Sequence, residues 1–86
     1  MAAAPPPSFL LIVQLHHLQA MLHLGAIVNP MTGKHNPVDL DRARHELTLL
    51  EILNQKTAGN LTDEEETLLA QVIDSVREVI ESRQSS

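Results

Sequence analysis

The sequence predicts an all-α protein built from three helices, and two observations support that class. Apolar side chains recur every three or four residues in three segments, which is the spacing of one face of a helix. Ser, Asp or Thr stands immediately before each segment, where its side chain can cap the first turn. The length of 86 residues is enough for one domain only. Because the chain has no cysteine, we expect neither disulfides nor thiolate metal sites.

The first helix is predicted over residues 9–24, after a disordered lead-in of small residues and prolines at 1–7. Ser8 is a suitable N-cap because its hydroxyl can accept a hydrogen bond from an unpaired backbone N–H. Gly25 stands where a residue in the left-handed conformation commonly ends a helix. The connector that follows, "AIVNPMTGKHNPV", is rich in turn signals, and we predict no sheet in it.

The second helix is predicted over 40–56 with Asp39 as its N-cap, and the third helix over 63–82. Thr62 and Glu65 form the pattern of a capping box, in which each side chain accepts a hydrogen bond from the other residue's backbone N–H. A glycine in the "TAGNLT" segment separates the two helices. We therefore expect an antiparallel helical hairpin at the C-terminal end of the chain.

The apolar stripes of the second and third helices predict the core of a single domain at residues 8–83, followed by a disordered tail at 84–86. In the second helix Glu46 lies within the stripe and Ile52 lies outside it. The residues predicted to face the core are Leu40, Ala43, Leu47, Leu49, Leu50, Leu53, Leu68, Leu69, Val72, Ile73, Val76, Val79 and Ile80.

The first helix is apolar on nearly all sides, unlike the other two. One row of its leucines repeats with steps of four, three and four residues, the spacing that packs knobs into holes between helices. This row, the leucine seam, consists of Leu11, Leu15, Leu18 and Leu22. Met21 and other aliphatic residues broaden the apolar surface around it. The seam is predicted to pack either in the core or at an interface between subunits.

An apolar helix in so short a chain favours association with another protein. Two partner helices cover about half of its circumference, and each large aliphatic side chain left in water forgoes about 1.5–3 kcal/mol of burial. Four or five such side chains approach the whole stability of a small domain, about 5–15 kcal/mol. We therefore predict a homo-oligomer completed through the first helix, with a twofold dimer as the favoured form. Complete coverage within one chain, or binding of another protein through this helix, stays open.

Charge and composition argue against other classes of partner. The chain has six Lys and Arg and eleven Asp and Glu, and this acidic balance disfavours contacts with the phosphates of a nucleic acid. Phe9 is the single aromatic residue, so the chain also lacks a surface on which bases could stack. No basic residue precedes Lys34, which argues against a signal peptide. The apolar run is about 16 residues long, below the roughly 17–25 that a membrane span needs. We expect a cytoplasmic protein without a membrane span.

Three histidines in the first helix, His16, His17 and His23, raise the question of a metal site or a pH response. His16 and His23 are about 10.5 Å apart along the helix axis, too far to hold one ion together. We therefore predict no metal site and no cofactor. If these three residues were buried at an interface, they would charge between about pH 5 and 7 and weaken it. A histidine-based metal or pH sensor stays as an alternative.

Glu46 lies in an apolar stripe, and Arg42 stands one turn before it. This spacing predicts an ion pair at the edge of an interface rather than a catalytic acid. No set of serine, cysteine and histidine residues suggests a nucleophile with its base. We therefore predict no catalytic residues and a protein that is not an enzyme.

Five segments carry a family resemblance. They are "SFLLIV" at Ser8–Val13, "HLG" at His23–Gly25, "NPMTGK" at Asn29–Lys34, "VDLDRARH" at Val38–His45 and "LLEILNQKTAGNLTDEEETLL" at Leu49–Leu69. Together they resemble a small bacterial family called domain of unknown function eighteen-forty-four. The resemblance implies a compact helical protein, and it brings no activity, substrate or catalytic residue. The chain departs from the family after Leu69, because "VIDSVREVIES" lacks the aromatic residue expected near the C-terminus.

We therefore predict a homo-oligomeric interaction, scaffold or accessory-subunit protein that associates through its first helix. Two alternatives stay open besides this one. One is the histidine-based sensor, and the other is a minor subunit of a larger enzyme complex, which would bind a different protein through the same helix.

Overall fold

The computed structural model describes residues 8–84, and within that range it confirms the all-α class with three helices. The expectations for the lead-in at 1–7 and for residues 85 and 86 fall outside the described residues. In chain order the elements are α1 (Phe9–His23), β1 (Val28–Asn29), β2 (Lys34–His35), α2 (Leu40–Lys56) and α3 (Asp63–Gln84). The two short strands lie in the connector between α1 and α2.

The capping residues predicted from the sequence begin the three helices. The side chains of Ser8 and Asp39 each accept a hydrogen bond of 3.1 Å from the backbone N–H three residues later. Thr62 donates its backbone N–H to Glu65 Oε1 at 2.8 Å, and Glu65 donates its own to Thr62 Oγ1 at 3.1 Å. This reciprocal pair confirms the capping box.

The third helix ends later than the sequence predicted. α3 runs to Gln84, so a residue expected in the disordered tail is helical. A contact of Arg83 explains the extra length, because its Nε donates a hydrogen bond of 3.1 Å to the carbonyl oxygen of Leu24. This contact with the end of α1 stabilises the last turn of α3, and it joins residues that are far apart in the sequence.

The contacts between α1 and α2 set these two helices antiparallel. His16, near the middle of α1, contacts Glu46 of α2. Towards the C-terminal end of α1, the carbonyl of His23 accepts a hydrogen bond of 2.7 Å from the backbone N–H of Asp39. The position along α2 therefore decreases as the position along α1 increases.

The contacts between α1 and α3 set that pair parallel. His17 lies beside Ser75, and Leu24 lies beside Arg83, so positions along both helices increase together. Because α1 is antiparallel to α2 and parallel to α3, α2 and α3 are antiparallel to each other. The helical hairpin predicted through "TAGNLT" is present.

The core lies where the three helices meet. The predicted stripes of α2 and α3 face it, except that Leu49 and Leu53 at the edge of the α2 stripe are only partly buried and lie outside the core cluster. Ile52, which the sequence placed outside the stripe, is exposed. The buried apolar residues are Val13, Ala20, Met21, Leu24, Ala43, Leu50, Leu69, Val72, Ile73, Val76 and Ile80.

The connector contains a short antiparallel ladder, so the prediction that it holds no sheet is wrong. Val28 pairs with His35, and Asn29 pairs with Lys34. Asn29 closes the turn between the strands, because its carbonyl accepts the N–H of Gly33 at 2.8 Å while Gly33 adopts a left-handed φ of +71°. The strands are only two residues long, too short for an alternating apolar pattern, so the turn chemistry was the available signal.

Replacing Leu50 should destabilise the fold far more than replacing its exposed neighbour Ile52. Leu50 is fully buried, so Leu50→Ala is expected to lower the free energy of unfolding by about 2–5 kcal/mol. Ile52→Ala, the matched control on the same helix, is expected to change it by less than about 1 kcal/mol. Denaturant unfolding at one fixed protein concentration measures both. Equal losses in the two variants would contradict this placement of the core.

Candidate functional site

The outer face of α1 carries the leucine seam. At about 100° per residue, the buried residues Val13, Ala20 and Leu24 lie on one side of the helix, and the seam lies on the opposite side. Leu15 is 48% exposed and Leu18 is 46% exposed, while the two leucines at the ends of the seam are half-buried. The centre of the seam therefore lies outside the core of a single chain.

The surface around the seam is aliphatic and uncharged. Ile12 lies beside the seam and is 45% exposed, whereas Met21 is buried. No Asp, Glu, Lys or Arg occurs in α1 from Phe9 to His23. The nearest polar residues are Gln14 and Gln19, both exposed. Another apolar surface can cover such a face without removing an ion from water, which is the costly part of burying a polar surface.

Glu46 is buried between α1 and α2, and it contacts His16 rather than Arg42. The Nδ1 atom of His16 lies 2.7 Å from Glu46 Oε2, and the Glu46 side chain is only 8% exposed. An ionised carboxylate accepts hydrogen bonds and cannot donate them, so the imidazole donates from Nδ1. The structure thus corrects the predicted pair of Arg42 and Glu46, and it places a buried polar link between the two helices.

The orientation of α2 explains why Arg42 has a different partner. Glu46 shares the inward face of α2 with Ala43 and Leu50, so its carboxylate points towards α1. Arg42 stands in the exposed first turn, where its Nε lies 3.4 Å from Oδ2 of the cap residue Asp39. Helical spacing brings residues 42 and 46 to neighbouring positions, but the packed helix α1 decides which polar group meets the carboxylate.

The other two histidines of α1 also lie away from the leucine seam. His17 Nε2 is 3.5 Å from the Oγ atom of Ser75, and desolvation by burial lowers the pKa of His17 below its usual 6.5. His23 is half-buried and lines an open pocket with the first turn of α2. Within residues 8–84, no three His, Asp or Glu side chains come close enough to hold a metal ion.

The C-terminal end of α1 is closed by a dense set of hydrogen bonds. The N–H of Ala26 reaches the carbonyl of Met21 at 3.0 Å, and that of Gly25 reaches Leu22 at 3.1 Å, which together form a Schellman motif. Gly25 has a φ of +65°, and a Cβ atom there would lie 2.6 Å from the carbonyl oxygen of Asn36. Only glycine fits this position, so the connector passes directly against the helix end.

The connector also presents a braced and exposed loop, the hairpin arm, which comprises residues 28–35. Asn29 donates from Nδ2 to Asn36 Oδ1 at 3.1 Å, and its own Oδ1 accepts the N–H of Met31 at 2.9 Å. Despite this bracing, the side chain of Met31 at the tip is 90% exposed. The sequence marks Met31 only as an apolar residue between two turn-forming pairs, Asn29-Pro30 and Thr32-Gly33, which by itself indicates no function.

A groove, the α1–α3 groove, runs between the N-terminal halves of α1 and α3. Its α1 side borders the leucine seam, because Gln14 precedes Leu18 by four residues. Its apolar surface comes from one leucine of each helix, and two carboxylates of the first turn of α3 lie at its edge. The lining residues are Leu10, Gln14, Asp63, Glu64, Thr67, Leu68 and Gln71.

The fold and this surface define a small three-helix protein whose first helix presents an uncharged aliphatic face to solvent. The family model for a domain of unknown function (DUF1844) matches residues 6–79, and the chain belongs to this family, as the resemblance indicated. Comparisons with curated proteins and with solved structures give no match. Among the described residues, no helix has both the length and the apolar character needed to cross a membrane.

Removing the buried partner of Glu46 should destabilise the protein, whereas removing Arg42 should not. His16→Ala leaves a buried carboxylate without its hydrogen bond, which costs about 1–3 kcal/mol of unfolding free energy. Arg42→Ala removes an exposed contact with Asp39 and should cost less than about 1 kcal/mol. Thermal or urea unfolding of the two variants and of the natural chain measures both losses of unfolding free energy. A larger loss for Arg42→Ala would instead favour the pairing expected from the sequence.

Stability should also fall as the pH is lowered, in part through His17. Burial lowers the pKa of His17 in the folded state, so below about pH 6.5 the unfolded chain binds the proton more readily. The contribution of His17 is therefore present above that pH and is lost as the pH falls towards the folded-state pKa. Urea unfolding from pH 8 to 5 should show a shallower decrease for His17→Gln than for the natural chain. Identical slopes would rule out this contribution.

Proposed function

We propose that the protein is a homodimeric interaction protein whose two copies join through the leucine seams of their α1 helices. The observation that carries this proposal is the position of the seam. Its two central leucines, Leu15 and Leu18, are about half exposed on the side of α1 opposite the core. Leucines spaced by four, three and four residues suit packing against another helix, and within residues 8–84 no helix buries the two central ones.

A second copy of the chain is the partner that this surface fits best. A twofold contact places the same patch of both subunits together, so the patch must complement itself. The seam meets this requirement because it is aliphatic and carries no charge that would repel its copy. A partner selected through charge would instead require ionised groups on the face of α1.

The use of the polar side chains supports an interaction role rather than catalysis. His16 and Glu46 bind each other between helices, and the Nδ1 atom of His35 donates to the carbonyl of Gly25 at 2.9 Å. These groups hold the fold together. We therefore propose a scaffold or accessory subunit that acts by joining polypeptides, with α1 as the joining element.

Light scattering across a size-exclusion peak tests the proposal directly. Loads from about 1 to 100 μM should give twice the chain mass of 9.5 kDa at the upper end, because mass action favours the dimer. The double variant Leu15→Gln/Leu18→Gln should give the monomer mass. Its far-UV circular dichroism should be unchanged, since neither side chain belongs to the core.

Ile52→Gln is the matched control, because Ile52 is 45% exposed on the outer face of α2. This variant should keep the dimer mass. A monomer at every load of the natural chain would overturn the proposal, and so would a dimer that is unaffected by the double variant. If a monomer is found, a different protein becomes the candidate partner of the seam.

A further inference from the structure

The leucine seam alone offers little area for a stable dimer. α1 has 15 residues, which correspond to about 22 Å of helix and a strip about 10 Å wide. Its flat footprint is then roughly 220 Å². The accessible surface of such a strip is larger than its flat projection, but one short helix still falls short of the about 800 Å² per partner that specific interfaces bury. A dimer that forms through the seam therefore needs further contacts near the ends of α1.

The hairpin arm has the properties of such a contact. Its tip exposes Met31 almost completely, while hydrogen bonds of Asn29 hold the turn in one conformation. Lys34 stands beside the tip, and within residues 8–84 its ammonium group forms no ion pair. It is also the single Lys or Arg between residues 8 and 38, where no acidic residue occurs. The arm is thus apolar and basic on an otherwise acidic chain.

The α1–α3 groove has the complementary properties. Leu10 and Leu68 give it an apolar surface, and Asp63 and Glu64 stand at its edge. In the described part of the chain, neither carboxylate is in an ion pair. A methionine is flexible enough to fit an irregular apolar groove, and a lysine can face the two carboxylates.

The topology prevents the arm from reaching the groove of its own chain. The arm follows the C-terminal end of α1, whereas the groove lies at the N-terminal ends of α1 and α3. An antiparallel twofold contact between two α1 helices reverses this relation. It pairs Leu15 with Leu18 and Leu11 with Leu22 of the second copy, so the end of α1 that carries each arm lies at the end of α1 that borders the groove of the other copy.

We propose that two copies pair with antiparallel α1 helices and that each inserts Met31 of its hairpin arm into the α1–α3 groove of the other. Lys34 then faces Asp63 and Glu64 across the interface. The inference rests on the proposed function and adds to it the orientation of the dimer and a second pair of contacts. It also assigns a function to the arm.

Disulfide cross-linking tests the orientation, and the absence of natural cysteines makes engineered ones specific. Cross-linking requires Cα atoms about 4.4–6.8 Å apart. A mixture of Leu11→Cys and Leu22→Cys chains should give a disulfide-linked pair of the two different variants. Each variant alone should link poorly. A parallel dimer would instead link Leu11→Cys chains to one another, and that result would overturn the proposal.

A second cross-link tests the contact of the arm itself. Chains with Met31→Cys, mixed with chains carrying Leu68→Cys, should form a mixed disulfide. The control mixture of Met31→Cys with Ile52→Cys places the second cysteine on the outer face of α2 and should not link. Equal linking in both mixtures would mean collisional contact only, and the proposal for the arm would fail.

Charge reversal gives a quantitative test in the uncross-linked dimer. Lys34→Glu and Glu64→Lys should each raise the dimer dissociation constant about threefold to thirtyfold, because two symmetric contacts are lost. The combined variant Lys34→Glu/Glu64→Lys should restore most of the affinity. The control Lys34→Glu/Glu78→Lys has the same net charge but alters an exposed glutamate elsewhere on α3, so it should not restore affinity.

These outcomes separate the two proposals. A natural chain that is monomeric at every concentration defeats the proposed function and this inference together. A dimer that is broken by Leu15→Gln/Leu18→Gln, yet insensitive to Lys34→Glu and without the arm cross-link, keeps the proposed function and overturns this inference alone. Circular dichroism of each variant confirms that a lost contact is not a lost fold.

Discussion

The structure depends on how the rotation of α1 about its own axis is determined. Apolar side chains surround this helix, so burial of apolar surface favours several rotations by similar amounts. A buried carboxylate favours only one of them. If α1 turned so that His16 left Glu46, the carboxylate would stay buried without a hydrogen bond, which is costly. This polar contact therefore selects which face of α1 meets the core.

The end of α1 adds a second constraint of the same kind. Its last carbonyl groups accept hydrogen bonds from the connector, from the start of α2 and from Arg83 of α3. Hydrogen bonds from all three neighbouring segments thus hold the end of α1 in one position. Because Gly25 allows Asn36 to approach so closely, the connector leaves α1 in one direction and holds the hairpin arm away from the core. One set of contacts thereby fixes both the outward leucine seam and the place of the arm, the two features on which the proposed dimer depends.

The sequence predicted the elements better than their mutual contacts. Caps at Ser8, Asp39 and Thr62 were recognised correctly because a cap depends on residues three positions apart. The core faces of α2 and α3 were also recognised, since each helix has a single apolar stripe. The predicted ion pair of Arg42 with Glu46 is wrong because the partner of a side chain depends on tertiary contacts rather than on local spacing. Neighbouring positions on one helix were visible in the sequence, whereas the approach of His16 from another helix was not.

The sequence by itself determined the class, the three helices and the presence of an unusually apolar first helix, because these follow from local hydrogen bonding and from the period of apolar residues. The tertiary structure alone decided which side of that helix faces solvent. An evenly apolar helix contains no internal preference for one face, so only its packed neighbours can supply one. For the same reason, the exposure of Met31 and the proximity of Leu10 to Leu68 became visible only once the three helices were packed together.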